Sequence, residues 1–180
     1  MFIAREKKRS NIAEYVLYMW QIEDLIRSCQ FDREVIAQRV IAGFDYPEEQ
    51  KQQLAEWYDL LIKKMQDQEI VHQGHLKELR DLLNELMYLH MTLLNTIKDE
   101  NYAQLYQQAL PNINALREKS NAEFHEIETC FNGVYGYLVL KLRQSNVTKD
   151  TTEAVASFTQ LLAYLSGKYR EMKAGKSVPG

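Results

Sequence analysis

The sequence predicts an all-α protein: a single-domain helical bundle of about six or seven helices with no β-sheet. Three observations carry this. Apolar residues recur at i, i+3, i+4 and i+7 along nearly the whole chain. The 180 residues include only seven glycines and three prolines, so helix breakers are scarce. The length suits one core, and no Pro/Gly/Ser-rich linker or fixed-period repeat divides it.

The first helix is expected from a Ser10 cap to about Cys29. Ile12, Tyr15, Val16, Met19, Ile22 and Ile26 form one stripe, while Leu17, Tyr18, Trp20 and Leu25 lie outside it. A helix apolar over most of its circumference is central in a fold or lies in a subunit interface. Asp32 can cap a short second helix, Arg33 to about Ala42, before a break at Gly43 and Asp45-Tyr46-Pro47. Pro47 followed by Glu48 and Glu49 starts a third helix, because proline suits the first turn and acids complement its dipole. Its face is Leu54, Trp57, Tyr58, Leu61 and Met65.

The next stripe runs Leu76, Leu79, Leu82, Leu83, Leu86, Leu93, Leu94 and Ile97. It is in phase with the preceding one across Gly74. An unbroken helix from Pro47 to Lys98 would reach about 78 Å, too long for a compact chain of this size, so a turn near Gly74 is favoured. Asp99-Glu100-Asn101 marks a boundary. Tyr102, Leu105, Tyr106 and Leu110 form a short helix that Pro111 ends or kinks. Ile113 to Leu142 keeps a 3–4 rhythm, predicting one helix of about thirty residues despite Gly133 and Gly136. Asp150 or Thr151 caps the last helix, and residues 175–180 are expected to form a flexible tail.

Charge and composition exclude several classes. The net charge is −3, so nucleic-acid coating, which draws on counterion release by Lys and Arg, is disfavoured. The basic segment Arg5, Lys7, Lys8 and Arg9 contains Glu6 and reads as a solvated helix entry, with a nucleic-acid accessory role as the weaker alternative. Cys29 and Cys130 are too few for a disulfide scaffold or a four-thiolate zinc module. No signal-peptide core or membrane-spanning run occurs. The expected location is the cytoplasm, with both thiols reduced.

No complete catalytic motif is present, and no cofactor is expected. Gly175-Lys176-Ser177 lacks the upstream glycine of a phosphate loop, since Arg170 stands there. Glu78, Asp81 and Glu85 line the face opposite the leucines, which makes them a solvated row rather than a metal site. His72 and His75, three residues apart, are the candidate metal pair. Gly74 between them argues equally for a turn with both solvated. His90 falls in the middle of an apolar face and reads as a core histidine bonded to a neighbouring helix. His125 and Glu128 read as a surface i, i+3 pair.

The first helix holds the strongest candidate for a ligand or partner pocket: Trp20, Gln21, Glu23, Asp24 and Arg27. By phase Glu23 lies inside the apolar face, and a buried carboxylate needs a partner. Arg27, one turn later, is the one the local sequence supplies.

Ile3-Ala4-x-Glu6-Lys7-Lys8, then Asn11-Ile12-Ala13-Glu14-Tyr15, then Leu17-Tyr18-Met19-Trp20-Gln21-x-Glu23-Asp24-x-Ile26-Arg27 resembles the N-terminal signature of a bacterial family defined as a domain of unknown function. Gly74-His75-Leu76 and Leu89-His90 with Leu93-Leu94 are similar too. The resemblance implies an intracellular, all-helical bacterial protein and transfers no activity. The leading function is a non-enzymatic interaction or scaffold protein, homodimeric or joined by another protein. The alternative is a small-molecule- or metal-binding bundle, enzyme or not, using Glu23 and Arg27 or His72 and His75.

Overall fold

A computed structural model of the chain describes residues 1–120 and 123–175. Among the described residues there are eight α-helices and no strand. They are α1 Phe2–Ser10, α2 Ile12–Ser28, α3 Arg33–Arg39, α4 Glu48–Asp67, α5 Lys77–Met91, α6 Glu100–Ser120, α7 Glu126–Leu142 and α8 Lys149–Lys173. A 3₁₀ turn, Ile41–Gly43, follows α3, and a π-helical segment, Thr92–Ile97, follows α5. No helix is long and apolar enough to cross a membrane, among the described residues.

The chain divides into two compact units, one of residues 1–8 and 14–81, the other of residues 9–13 and 82–180. In the first unit the core is built from Val16, Met19 and Ile26 of α2, Ile36 of α3, and Leu54, Tyr58, Leu61 and Met65 of α4, all buried. The apolar stripe of α2 is therefore used within the chain, whereas Leu17, Tyr18 and Leu25 outside it stay half-buried. Asp32 caps α3, its carboxylate accepting the amides of Glu34 and Val35. Helix α4 starts directly after Pro47, as the sequence predicts. It ends at Asp67, where Glu69 turns left-handed and the Ile70 amide closes on the Met65 carbonyl. Gly74, at φ +91°, breaks the chain before α5.

In the second unit α6, α7 and α8 pack on one another. Gly133 of α7 makes this approach possible. A Cβ there would lie 2.6 Å from the Phe158 ring and 3.0 Å from the Leu116 side chain. Helix α6 begins at an Asp99 cap, whose carboxylate accepts the Tyr102 amide.

Four helix boundaries differ from expectation. Ser10 ends α1 rather than capping α2. The Ala13 amide is instead accepted by Asn11 Oδ1 and by Ser166 Oγ, each at 3.1 Å. Pro111 lies inside α6, which neither ends nor restarts there. Burial of Tyr102, Ala109 and Ile113 along the same helix outweighs the backbone bond that proline forfeits. The thirty-residue helix from Ile113 to Leu142 is two helices. The chain leaves helical geometry before His125, whose Nδ1 caps α7 by accepting the Glu128 amide. The 3–4 rhythm happens to stay in phase across this break, which hides it. Thr148, not Asp150 or Thr151, caps α8. The expected flexible tail falls, from residue 176 onward, outside the described residues.

Candidate functional site around Glu23 and His75

Glu23 lies on the buried stripe of α2 and is only 1% exposed. Its partner is not Arg27. One carboxylate oxygen meets His75 Nδ1 at 2.6 Å, and the other accepts the Leu76 amide at 2.8 Å. The Leu76 amide is one of the orphan donors at the start of α5, so Glu23 caps that helix from outside. One turn before Glu23, Trp20 stacks on the His75 ring, with centroids 4.1 Å apart and planes 11° from parallel.

Arg27 takes a separate role. Its guanidinium meets Asp24 at 2.9 Å and donates to the carbonyls of Ile70 and Gly74. An Arg is suited to this, because its fork spans several acceptors at once. The expected Glu23–Arg27 ion pair is thus replaced by two clamps from one helix face, both closing on the segment between α4 and α5. Local periodicity buries Glu23, but the partner stands 52 residues further along the chain.

Of the candidate pocket residues, Trp20, Glu23, Asp24 and Arg27 meet this segment or each other, whereas Gln21 is exposed on α2. His75 joins the cluster. His72 is exposed, and among the described residues no three His, Cys, Asp or Glu side chains gather as a metal site. The chemistry that is present is a carboxylate–imidazole pair. With Nδ1 donating to Glu23, a neutral His75 presents Nε2 as a lone-pair acceptor.

A second polar cluster lies in the other unit. His90 is fully buried and bonded on both nitrogens, Nδ1 to the Tyr102 hydroxyl at 2.7 Å and Nε2 to Glu126 at 3.2 Å. This bears out a core histidine bonded to a neighbouring helix. The Tyr106 hydroxyl donates to the other Glu126 oxygen at 2.9 Å. Burial lowers the His90 pKa, against the pull of Glu126. Burial and then the Glu126 bond push Tyr106 up to about 12. Burial likewise raises Cys130, which is inert as a nucleophile for that reason. The neutral arrangement is closed: the Tyr102 hydroxyl donates to Nδ1, and Nε2–H donates to Glu126.

A third cluster centres on buried Asp99. Both its oxygens take the Tyr164 hydroxyl at 3.0 Å, and Lys168 lies at 3.2 Å. Burial opposes its ionisation, but the Tyr102 amide, Lys168 and Tyr164 outweigh burial and hold its pKa below the ordinary value. The acidic row on α5 is also engaged. Glu78 bonds Lys64 and Gln68, Asp81 bonds Lys77, and Glu85 bonds Tyr169 and Lys173. His125 adds a capping role to its expected pairing with Glu128, 3.7 Å away.

Fold and site together define an all-helical protein whose buried polar groups mainly tie its helices to one another. The chain belongs to the family described as Domain of unknown function (DUF4924), whose family model matches residues 1–176. No curated protein and no solved structure matches it.

Proposed function

We propose that this is a non-enzymatic, cytoplasmic helical interaction protein that self-associates as a homodimer. The observation that carries the reading is one exposed helix face. From Leu86 to Ile97 the sequence has no Asp, Glu, Lys or Arg. Within this stretch Tyr88 is 76% exposed and Met91 45% exposed. Protein interfaces are depleted of charge at their centre and enriched in Tyr and Met, and methionine adapts to irregular partners. The apolar stripe of α2 is used within the chain, and the helix predicted from Ile113 to Leu142 is divided, so neither carries the reading. Light scattering over a concentration series tests the reading. A mass rising from 21.2 kDa toward twice that value is expected, and a constant mass up to about 1 mM, where Kd arithmetic leaves little useful affinity, removes it.

A second reading, a ligand- or metal-binding bundle, is favoured by one observation: His75 is oriented by Glu23 through Nδ1 while the residue stays partly exposed. Carboxylate-backed histidines are typical of metal and acid–base sites. Stoichiometric zinc, iron or manganese in protein purified without chelator would support it. Absence of all three, together with a His75→Gln variant whose small-molecule binding profile is unaltered, would count against it.

A further inference from the structure

Two histidines meet at the first turn of α7, and both must be neutral for that turn to hold. His125 caps the helix by accepting the Glu128 amide on Nδ1 at 3.1 Å. A backbone amide can only donate, so Nδ1 keeps its lone pair and the ring proton sits on Nε2. An imidazolium carries a proton on each nitrogen and cannot make this bond. It also sets a positive charge against the positive end of the helix dipole. Protonation therefore turns the cap from an attraction into a repulsion. The His125 side chain is 24% exposed, so a proton reaches it from solvent.

His90 is tied to the next residue of the same turn. Its Nε2–H donates to Glu126, and its Nδ1 accepts the Tyr102 hydroxyl. A proton on Nδ1 displaces that hydroxyl, and both His90 and Tyr102 are fully buried. The wound turn thus bars His90 from a second proton. The groups facing the two rings are Glu126 and Glu128 of α7 and Tyr102 and Tyr106 of α6. Behind these, Asp99 acts on Tyr102, Arg117 on Tyr106 and Glu126 on the Cys130 thiol, and Tyr164 of α8 packs on the Tyr102 ring. Burial lowers the pKa of both histidines, the His90 charge lowers His125 further, and Glu126 opposes this without prevailing. Once the cap is lost, the turn is held only by the Glu126 bonds and by the Thr129 amide and hydroxyl on the His125 carbonyl, among the described contacts.

We infer that the first turn of α7 is an acid-operated latch: neutral His125 keeps it wound and His90 shielded, and protonation of His125 unwinds it and admits a second proton to His90. The inference does not depend on self-association. A histidine in the unwound turn titrates near its ordinary value of about 6.5, above its value in the wound turn. The latch is therefore fully set above that pH and is released as pH falls below it.

Amide hydrogen exchange on the full chain at pH 7.5, 6.5 and 5.5 tests this, with rates corrected for the intrinsic effect of pH. Protection of the Glu128 to Phe131 amides should fall between pH 7.5 and 5.5 by up to about tenfold for one proton taken up and about a hundredfold for two. The amides of α8 should keep theirs. His125→Ser and His125→Asn supply a cap that does not titrate, and each should remove about a tenfold share of the loss. In the wild-type chain the His125 ring resonance should titrate over the same pH range as the loss of protection. A wild-type loss below about twofold overturns the latch. So does a parallel loss in α8, which marks global unfolding. If both variants lose as much protection as the wild type, or if His125 titrates outside the range of the loss, His125 is not the trigger and the inference falls.

Discussion

Glu23 and His75 face each other across 2.6 Å although 52 residues separate them, and the second Glu23 oxygen holds the amide at the head of α5. A carboxylate with 1% exposure is tolerable only because both oxygens are engaged. The pair joins the middle of α2 to the start of α5, and Arg27 reinforces it by holding the carbonyls of Ile70 and Gly74.

Removal of that carboxylate should be costly. Glu23→Ala leaves the Leu76 amide and His75 Nδ1 without their acceptor, and should lower unfolding stability by about 2–4 kcal/mol. Glu23→Gln keeps an acceptor oxygen for the amide and should cost about half as much. Urea denaturation of both variants checks this. Unchanged or increased stability for Glu23→Gln would mark the residue as held for a ligand rather than for the fold.

Acid should destabilise the protein in two stages. His90 is depressed by burial, and His125 by burial and then by the nearby His90 charge. The unfolded chain therefore takes up these protons at a higher pH than the folded one. Stability rises with pH wherever the unfolded state binds more protons. The histidine contribution is thus complete above about pH 6.5, the ordinary histidine value, and is lost as pH falls below it. Glu78 is depressed, chiefly by its Lys64 bond, and Asp99 by its three donors against burial. Their contribution is lost as pH falls below the ordinary carboxylate range. Denaturation midpoints should stay nearly level from pH 7.5 to 6.5, fall by pH 5.5, and fall further by pH 3. A flat profile between pH 7.5 and 5.5 would contradict the histidine stage.

Two glycines of α7 should respond in opposite directions. Gly136→Ala meets no atom within 4 Å and should stabilise by up to about 1 kcal/mol through helix propensity. Gly133→Ala drives a methyl into the Phe158 ring and should destabilise by about 1–3 kcal/mol. Thermal unfolding of the two variants side by side tests the packing of α7 on α8. Equal shifts for both would refute it.

Several helices end on a left-handed residue that is not glycine, among them Glu69 after α4 and Gln144 after α7. Each accompanies a closing bond, from Ile70 to Met65 and from Ser145 to Leu140. A left-handed conformation costs a non-glycine residue about 1–2 kcal/mol, so Glu69→Gly and Gln144→Gly should each raise stability, by about 0.5–1 kcal/mol once backbone entropy is counted. Chemical denaturation reads the gain directly, and a loss at both positions would show that these caps are not strained. These ends also explain why the sequence shows so few stop signals: the usual glycine is missing from them.

Much of this was open to local reading. Helical class, the Asp32 cap, the Pro47 start, the Gly74 turn, and the burial of Glu23 and His90 all follow from which residues fall on one face of a helix. That is a matter of spacing within a turn or two, which the sequence carries by itself. Tertiary structure alone decided that Glu23 takes His75 rather than Arg27, that His90 joins Tyr102 and Glu126, that Pro111 stays helical, and that α7 starts at a His125 cap. Each of these turns on groups brought together by packing, or on burial strong enough to outweigh a local preference. Periodicity tells a side chain which way to face. Only the folded chain determines what it finds there, because contacts between distant segments leave no regular interval in the sequence.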